Sequence, residues 1–134
     1  MNGEKILVDT SAWIEYFKDK SVGHSKKMDE VLSKHEVYVP KVVIAELIQG
    51  SKSEREVSII EDFVDAFNII DQKEETWIKA GKLSFTLKRK GKNVNLTDCY
   101  IAVIAQEFDC HILSLDVHFK DIQKSLNIHL VDRN

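Results

Sequence analysis

Four acids stand where apolar sequence gives way to polar sequence or is interrupted by it. Asp9 closes KILVD, Glu46 breaks VVIAELI, Asp98 opens DCYIAVIA, and Asp116 closes CHILSLD. Asp71 and Asp132 end FNIID and NIHLVD in the same manner. Taken singly, an Asp after a strand is an ordinary turn or helix-capping residue. Glu46 and Asp98 differ, because each shares a helical face with apolar neighbours; for Asp98 these are Ile101, Ala102 and Ala105. A carboxylate on a core-facing stripe must become neutral or find a positive partner, and several in one cleft repel each other. A hard divalent cation resolves that conflict. Mg²⁺ takes near-octahedral oxygen coordination from a few carboxylates and waters, which Asp9, Glu46, Asp98 and Asp116 could supply, whereas no His or Cys set has zinc-like spacing. Two such ions roughly 4 Å apart would activate water and stabilise the leaving oxygen of a phosphodiester.

Hydroxyls and one imidazole accompany these acids. Thr10 and Ser11 follow Asp9 and read as helix caps, or as groups that orient a metal water. Ser114 and His118 flank Asp116 two residues before and after; His118 reads first as a surface loop residue and second as a hydrogen bonder or phosphate contact. His24, His35, His111 and His129 show no triad-like order and read as structural or exposed. Thr97 is the expected cap of the helix that carries Asp98, with Asn95 as a lesser candidate for substrate contact.

The elements that must position these groups follow from apolar period. KILVD, EVYVP, FNIID, CHILSLD and NIHLVD are five short apolar runs that read as strands. Helical spacing recurs between them: from Thr10 through Phe17, through Met28 to Leu32, across VVIAELIQG, from Ser53 to Ala66, from Lys73 until the pattern dissolves at KRKGKN, and from Leu96 to Phe108. A short helical turn spans Phe119 to Leu126. Strands alternating with helices predict an α/β protein whose largely parallel sheet is covered on both faces by right-handed crossovers. In such sheets the working crevice lies beyond the carboxyl ends of the strands, where the strand order switches. The acids sit at that edge.

The 134 residues, 43% of them hydrophobic, predict a single domain over 1–134 with a core that needs no disulfide. Cys99 and Cys110 are expected as core thiols. The uninterrupted apolar run Ile6-Leu7-Val8 is far too short for a signal or membrane segment, so cytoplasmic residence and no membrane partner are expected. A formal net charge of -3 excludes a generally basic nucleic-acid-coating protein. The charge is segregated, however: residues 76–97 contain no acid and six bases, Lys79, Lys82, Lys88, Arg89, Lys90 and Lys92. They read either as a solvated helix end or as a rim for a phosphate backbone above a floor of carboxylates. Trp13, Tyr38 and Tyr100 could stack on bases, but two of them lie in apolar patterns and are expected in the core.

LVDTSAWI at 7–14, IAEL with Gly50 at 44–50, LTDCYIAVIA at 96–105 and LSLDVHF at 113–119 resemble the four acidic blocks of PIN-domain ribonucleases, and of VapC-like toxins in particular. The resemblance covers nearly the whole chain. It implies a three-layer α/β/α sandwich whose central, mostly parallel five-stranded sheet is ordered 3-2-1-4-5, and Mg²⁺- or Mn²⁺-dependent cleavage of RNA. Asp9, Glu46 and Asp98 would hold the principal ion and Asp116 would complete the site, supported by Thr10 or Ser11. It also implies a homodimer and a small antitoxin partner, through which alone operator DNA would be bound. RNA contacts would include Lys88, Arg89, Lys90 and Lys92. Many relatives carry an acid or Asn just after the fourth block, where this chain has His118, with Asp121 slightly later.

Two readings from other classes compete. A phosphorylation receiver domain would use Asp71 as acceptor, but the chain lacks a second acid beside Asp9 and a well-placed Lys after the last strand. A catalytically silent PIN-like interaction module would retain four converging carboxylates without using them.

Overall fold

A computed structural model describes residues 3–18 and 23–131. The chain runs β1 (Lys5–Val8), α1 (Thr10–Lys18), α2 (Gly23–Lys34), β2 (Glu36–Pro40), α3 (Lys41–Gln49), α4 (Glu54–Val64), β3 (Asn68–Ile70), α5 (Thr76–Arg89), α6 (Leu96–Glu107), β4 (His111–Leu113), α7 (His118–Gln123) and β5 (His129–Leu130). All five strands pair in parallel, in the order β3-β2-β1-β4-β5. This is the architecture expected from the sequence, with the strand order that the family resemblance implies.

Ile6, Leu7 and Val8 are consecutive and all buried, which happens when both faces of a strand are covered. The covering helices fall into two packed sets, with α1 to α4 in one and α5 to α7 in the other. Right-handed crossovers place these sets on opposite faces of the sheet. The chain builds outward from β1 to β2 and β3, then returns to β4 on the other side of β1. The order therefore reverses between β1 and β4, and a crevice opens beyond their carboxyl ends.

Three local details depart from the sequence expectations. The hydroxyls of Thr10 and Ser11 do not cap α1. Strand β1 ends at Val8 and the helix starts at Thr10, so Asp9 is the single junction residue; its Oδ1 accepts the Ala12 N–H (3.3 Å) and its carbonyl accepts the Trp13 N–H (3.2 Å). Asn95, not Thr97, caps α6: its Oδ1 accepts the Asp98 N–H at 2.8 Å from an extended backbone. Helix α5 begins at Thr76 instead of near Lys73, because the Lys73 N–H closes a turn onto Thr76 Oγ1 (2.7 Å).

Helix α6 carries the heart of the core. All residues from Asp98 to Ala105 are buried, not only the expected stripe, because α5, α7 and β4 surround it. Cys99 and Cys110 are buried free thiols, as the sequence predicts. Helix α5 stops in a left-handed turn: Gly91, at φ 77°, lets the Lys92 N–H reach the Leu87 carbonyl (2.9 Å) and the Gly91 N–H reach Lys88 (3.0 Å). That turn aims the basic segment back toward α6 and α7. No helix among the described residues is long and apolar enough to cross a membrane.

Candidate metal centre

Asp9 sits at the end of β1, 3% exposed. Ser11 Oγ donates to its Oδ1 (2.7 Å) and Ser114 Oγ donates to its Oδ2 (2.6 Å). The two hydroxyls lie 3.3 Å apart. Ser11 Oγ accepts the Leu115 N–H (3.0 Å) and Ser114 Oγ accepts the Asp116 N–H (2.9 Å), so β1 and the loop after β4 are knitted through one carboxylate. Burial raises the Asp9 pKa; the serines and the Ala12 N–H oppose that, and the nearby charge of Asp116 adds to it.

Asp98 lies in the first turn of α6 and is 8% exposed. Its pKa is pushed up to about 7, first by burial, then by the charge of Asp116, by hydrogen bonding to Asp116 and by the charge of Asp9, with His118 opposing. The N-termini of α1 and α6 both face this spot and supply partial positive charge, which offsets only part of the repulsion. Asp116 follows β4, and its Oδ1 accepts the His118 N–H (2.9 Å). His118 Nδ1 lies 3.1 Å from Asp116 Oδ1 and 3.9 Å from Asp98 Oδ2.

Asp98, Asp116 and His118 thus each place one ligand atom within 4.8 Å of the others; among the described residues they alone form such a group. Of the three buried side-chain polar atoms without a hydrogen-bond partner among the described residues, two are Asp98 Oδ2 and His118 Nδ1, in this same cluster. Buried polar atoms left orphaned side by side, with repelling carboxylates around them, fit a divalent cation in both charge and donor type. Glu46 stands one residue further out. From α3, its Oε1 accepts the Thr10 hydroxyl at 2.6 Å, so the fourth acid is tied to the neighbour of the first.

The expected surface role of His118 needs correction: its side chain is 43% exposed, yet Nδ1 is buried and points into the cluster. No sequence signal short of the fold separates these two positions. Asp71 is engaged elsewhere, accepting from Tyr100 Oη (3.4 Å) and pairing with Lys41 (3.7 Å), which disfavours its use as a phosphate acceptor. Asp132 lies outside the described residues. Asp121 pairs with Lys92 (3.6 Å) and Lys124 (3.9 Å). The basic stretch divides in two. Lys79 pairs with Glu107 (3.3 Å) at the far end of α6, whereas Lys90 donates to Ser125 Oγ (3.0 Å) and Lys92 reaches α7, the helix that begins with His118. Trp13 and Tyr100 are in the core and Tyr38 is half-buried. His111 and His129, unrelated in sequence, meet with ring centroids 5.2 Å apart on neighbouring strands, at the amino ends of the sheet and away from the acids.

A groove of about 580 Å³ runs beside Glu46, walled by Ile14 and Phe17 of α1 and Ile59 of α4. These three side chains are 37–45% exposed although large and apolar. The Ile14–Phe17 spacing is readable in the sequence; their exposure is not, since it depends on how far α1 and α4 splay apart.

An α/β domain with a five-stranded parallel sheet and carboxylates converging at its topological switch point is the class that this fold and site define. The chain belongs to the PIN domain family, whose sequence profile matches residues 6–125. It is similar to Ribonuclease VapC1 of Methanocaldococcus jannaschii, 32% identical over 101 residues that cover 75% of this chain and 68% of the relative. It is also similar to Ribonuclease VapC1 of Haemophilus influenzae strain R2866, 25% identical over 114 residues that cover 82% of this chain and 80% of the relative. Among solved structures, VapBC2 from Rickettsia felis, bound to a DNA fragment from its promoter, superposes with a TM-score of 0.78 at 21% identity, covering 95% of this chain and 97% of the other.

Proposed function

We propose that this protein is a divalent-metal-dependent endoribonuclease of the VapC kind, the toxin of a toxin-antitoxin pair, with its activity carried by one domain over residues 1–134. The observation that carries the reading is the convergence of Asp9, Asp98 and Asp116 at the switch point, with Asp98 Oδ2 buried and unpartnered. The VapC ribonuclease relatives support the substrate class. Asp98 and Asp116 would hold Mg²⁺ or Mn²⁺ with Asp9 beside them, and Glu46 would complete the site from α3. When bound there, the cation would activate water for attack on phosphorus and neutralise charge on the departing oxygen. Ser11 and Ser114 keep both Asp9 oxygens in place, and Thr10 holds one oxygen of Glu46. Lys88, Arg89, Lys90 and Lys92 would hold the RNA backbone on the α5–α7 side of the crevice.

The groove beside Glu46 would receive an apolar segment of a small antitoxin, whose presence would also close the crevice to RNA. The similarity to VapBC2 of Rickettsia felis, solved on a DNA fragment from its promoter, supports that partner and DNA binding through it. A homodimer in the cytoplasm is the expected resting assembly of the toxin itself.

The test is cleavage of end-labelled RNA by the purified chain with Mg²⁺ or Mn²⁺, beside EDTA and Asp9→Asn controls. Cleavage that requires metal and Asp9 is the expected result. RNA that stays intact with both ions, or an Asp9→Asn protein that cleaves like the wild type, overturns the proposal.

A further inference from the structure

We propose that His118 is itself a metal ligand, through Nδ1, and that this nitrogen makes the centre select first-row transition ions such as Mn²⁺ over Mg²⁺. The inference rests on the metal-dependent reading above and names what that reading leaves open, the kind of ion.

The geometry around the ring carries it. Nδ1 is buried, makes no hydrogen bond, and lies 3.1 Å from Asp116 Oδ1 and 3.9 Å from Asp98 Oδ2. Two neighbouring ligands of an octahedral ion with bonds of about 2.1 Å stand roughly 3 Å apart, and opposite ligands roughly 4.2 Å. The 3.1 Å separation matches neighbouring ligands, and the 3.9 Å separation lies within the span that one ion can bridge. The close approach is not a hydrogen-bonded ion pair. Asp116 Oδ1 already accepts the His118 N–H (2.9 Å), and the imidazole, although close, does not present a hydrogen to it. Asp98, more than nine-tenths buried, turns its own unpartnered Oδ2 toward the same point. A buried imidazole nitrogen and a buried carboxylate oxygen that face each other without a hydrogen bond are the donors a cation would take. The exposed 43% of the His118 side chain lies away from Nδ1, which is itself buried.

Selectivity follows from the donor. Mg²⁺ favours oxygen and gains little from imidazole, whereas Mn²⁺, although the weakest binder of the first-row series, accepts a nitrogen donor at smaller cost. Replacing one oxygen donor by a nitrogen penalises Mg²⁺ relative to Mn²⁺ without altering the carboxylates.

The test uses the full chain, free of any affinity tag and stripped with EDTA. Mn²⁺ binding is followed by the paramagnetic resonance of free Mn²⁺, with Mg²⁺ as competitor, for wild type, His118→Ala and His118→Asp. The wild type is expected to bind Mn²⁺ at least about tenfold more tightly than Mg²⁺, and His118→Ala to lose about tenfold for Mn²⁺ but less than about twofold for Mg²⁺. His118→Asp should narrow the preference by restoring an oxygen donor. Independently, the His118 imidazole ¹⁵N resonance, assigned by its loss in whichever of the two variants folds or by through-bond correlation in the wild type, should shift when the wild type binds diamagnetic Zn²⁺. An unmoved His118 ring nitrogen, or a His118→Ala protein that keeps its Mn²⁺ affinity and preference, overturns the inference. RNA cleavage measured on the same samples separates the two proposals: cleavage without His118 ligation removes only this one, and ligation without cleavage removes only the nuclease reading.

Discussion

Ser114 Oγ donates to Asp9 Oδ2 at 2.6 Å across 105 positions of sequence, and so joins the carboxyl end of β1 to that of β4. The bond does two things. It holds one face of the carboxylate, and it favours the charged form that burial would otherwise suppress.

Ser114→Ala should therefore act on both counts. Losing one hydrogen bond to a buried carboxylate costs about 1–3 kcal/mol of folding stability in the metal-free protein, read by urea denaturation. The Asp9 pKa should rise further, so the acidic limb of the pH–rate profile for RNA cleavage should move to higher pH. A profile that keeps its position while only the rate falls would mean that Ser114 acts by shape alone.

The raised carboxyls set the pH dependence of stability. Asp98 titrates near 7 when folded and, like any Asp, near 3.8 when unfolded; Asp9 is displaced in the same direction. Between those values the folded chain binds more protons than the unfolded chain, so stability falls as pH rises. The contribution is complete below the unfolded value and is lost as pH climbs through the folded one. EDTA-treated protein should be less stable at pH 8 than at pH 5 by about 1–3 kcal/mol, given about 1.4 kcal/mol per pKa unit. Asp98→Asn should flatten that slope, and added Mn²⁺ should recover the melting temperature at pH 8. A metal-free protein whose stability rises from pH 5 to 8 would contradict the electrostatics described for the site.

Charge removal on α5 should divide according to position. Burial and the Asp98 charge raise the Cys99 pKa, and Lys88 is close enough to α6 for its charge to oppose that rise, whereas Lys79 is tied to Glu107 near the other end of both helices. Lys88→Ala and Arg89→Ala should each weaken RNA binding and reduce the slope of log affinity against log salt by about 0.7 for each phosphate that is no longer neutralised. Lys79→Ala should leave that slope unchanged. Filter binding of RNA to the Asp9→Asn protein, with and without each change, measures both. Equal effects from Lys79 and Lys88 would remove the basic rim as a specific surface.

Much of this architecture is legible in the order of residues alone. Runs such as Ile6-Leu7-Val8 are apolar on consecutive residues, a property that both specifies a strand covered on two sides and places the acid after it at the sheet edge. Asp9, Asp98 and Asp116 can be singled out by their places beside such apolar segments. Helix caps are harder. Whether Asn95 or Thr97 closes the start of α6, or Asp9 or Thr10 opens α1, depends on the backbone angles of a single residue, and both candidates have suitable side chains.

What the sequence determined by itself was the set of elements and the edge on which the acids fall, because apolar period and burial act locally along the chain. Only the tertiary structure decided which acids share a cluster and which side chains complete it. Glu46 is held one step away through Thr10, while His118 turns a buried nitrogen toward Asp98 and Asp116. Those distances join residues from α1, α3, α6, the β4–α7 loop and the start of α7, and they are set by the parallel register of β1 with β4 and by the packing of α6 over it. No spacing in the linear chain encodes them.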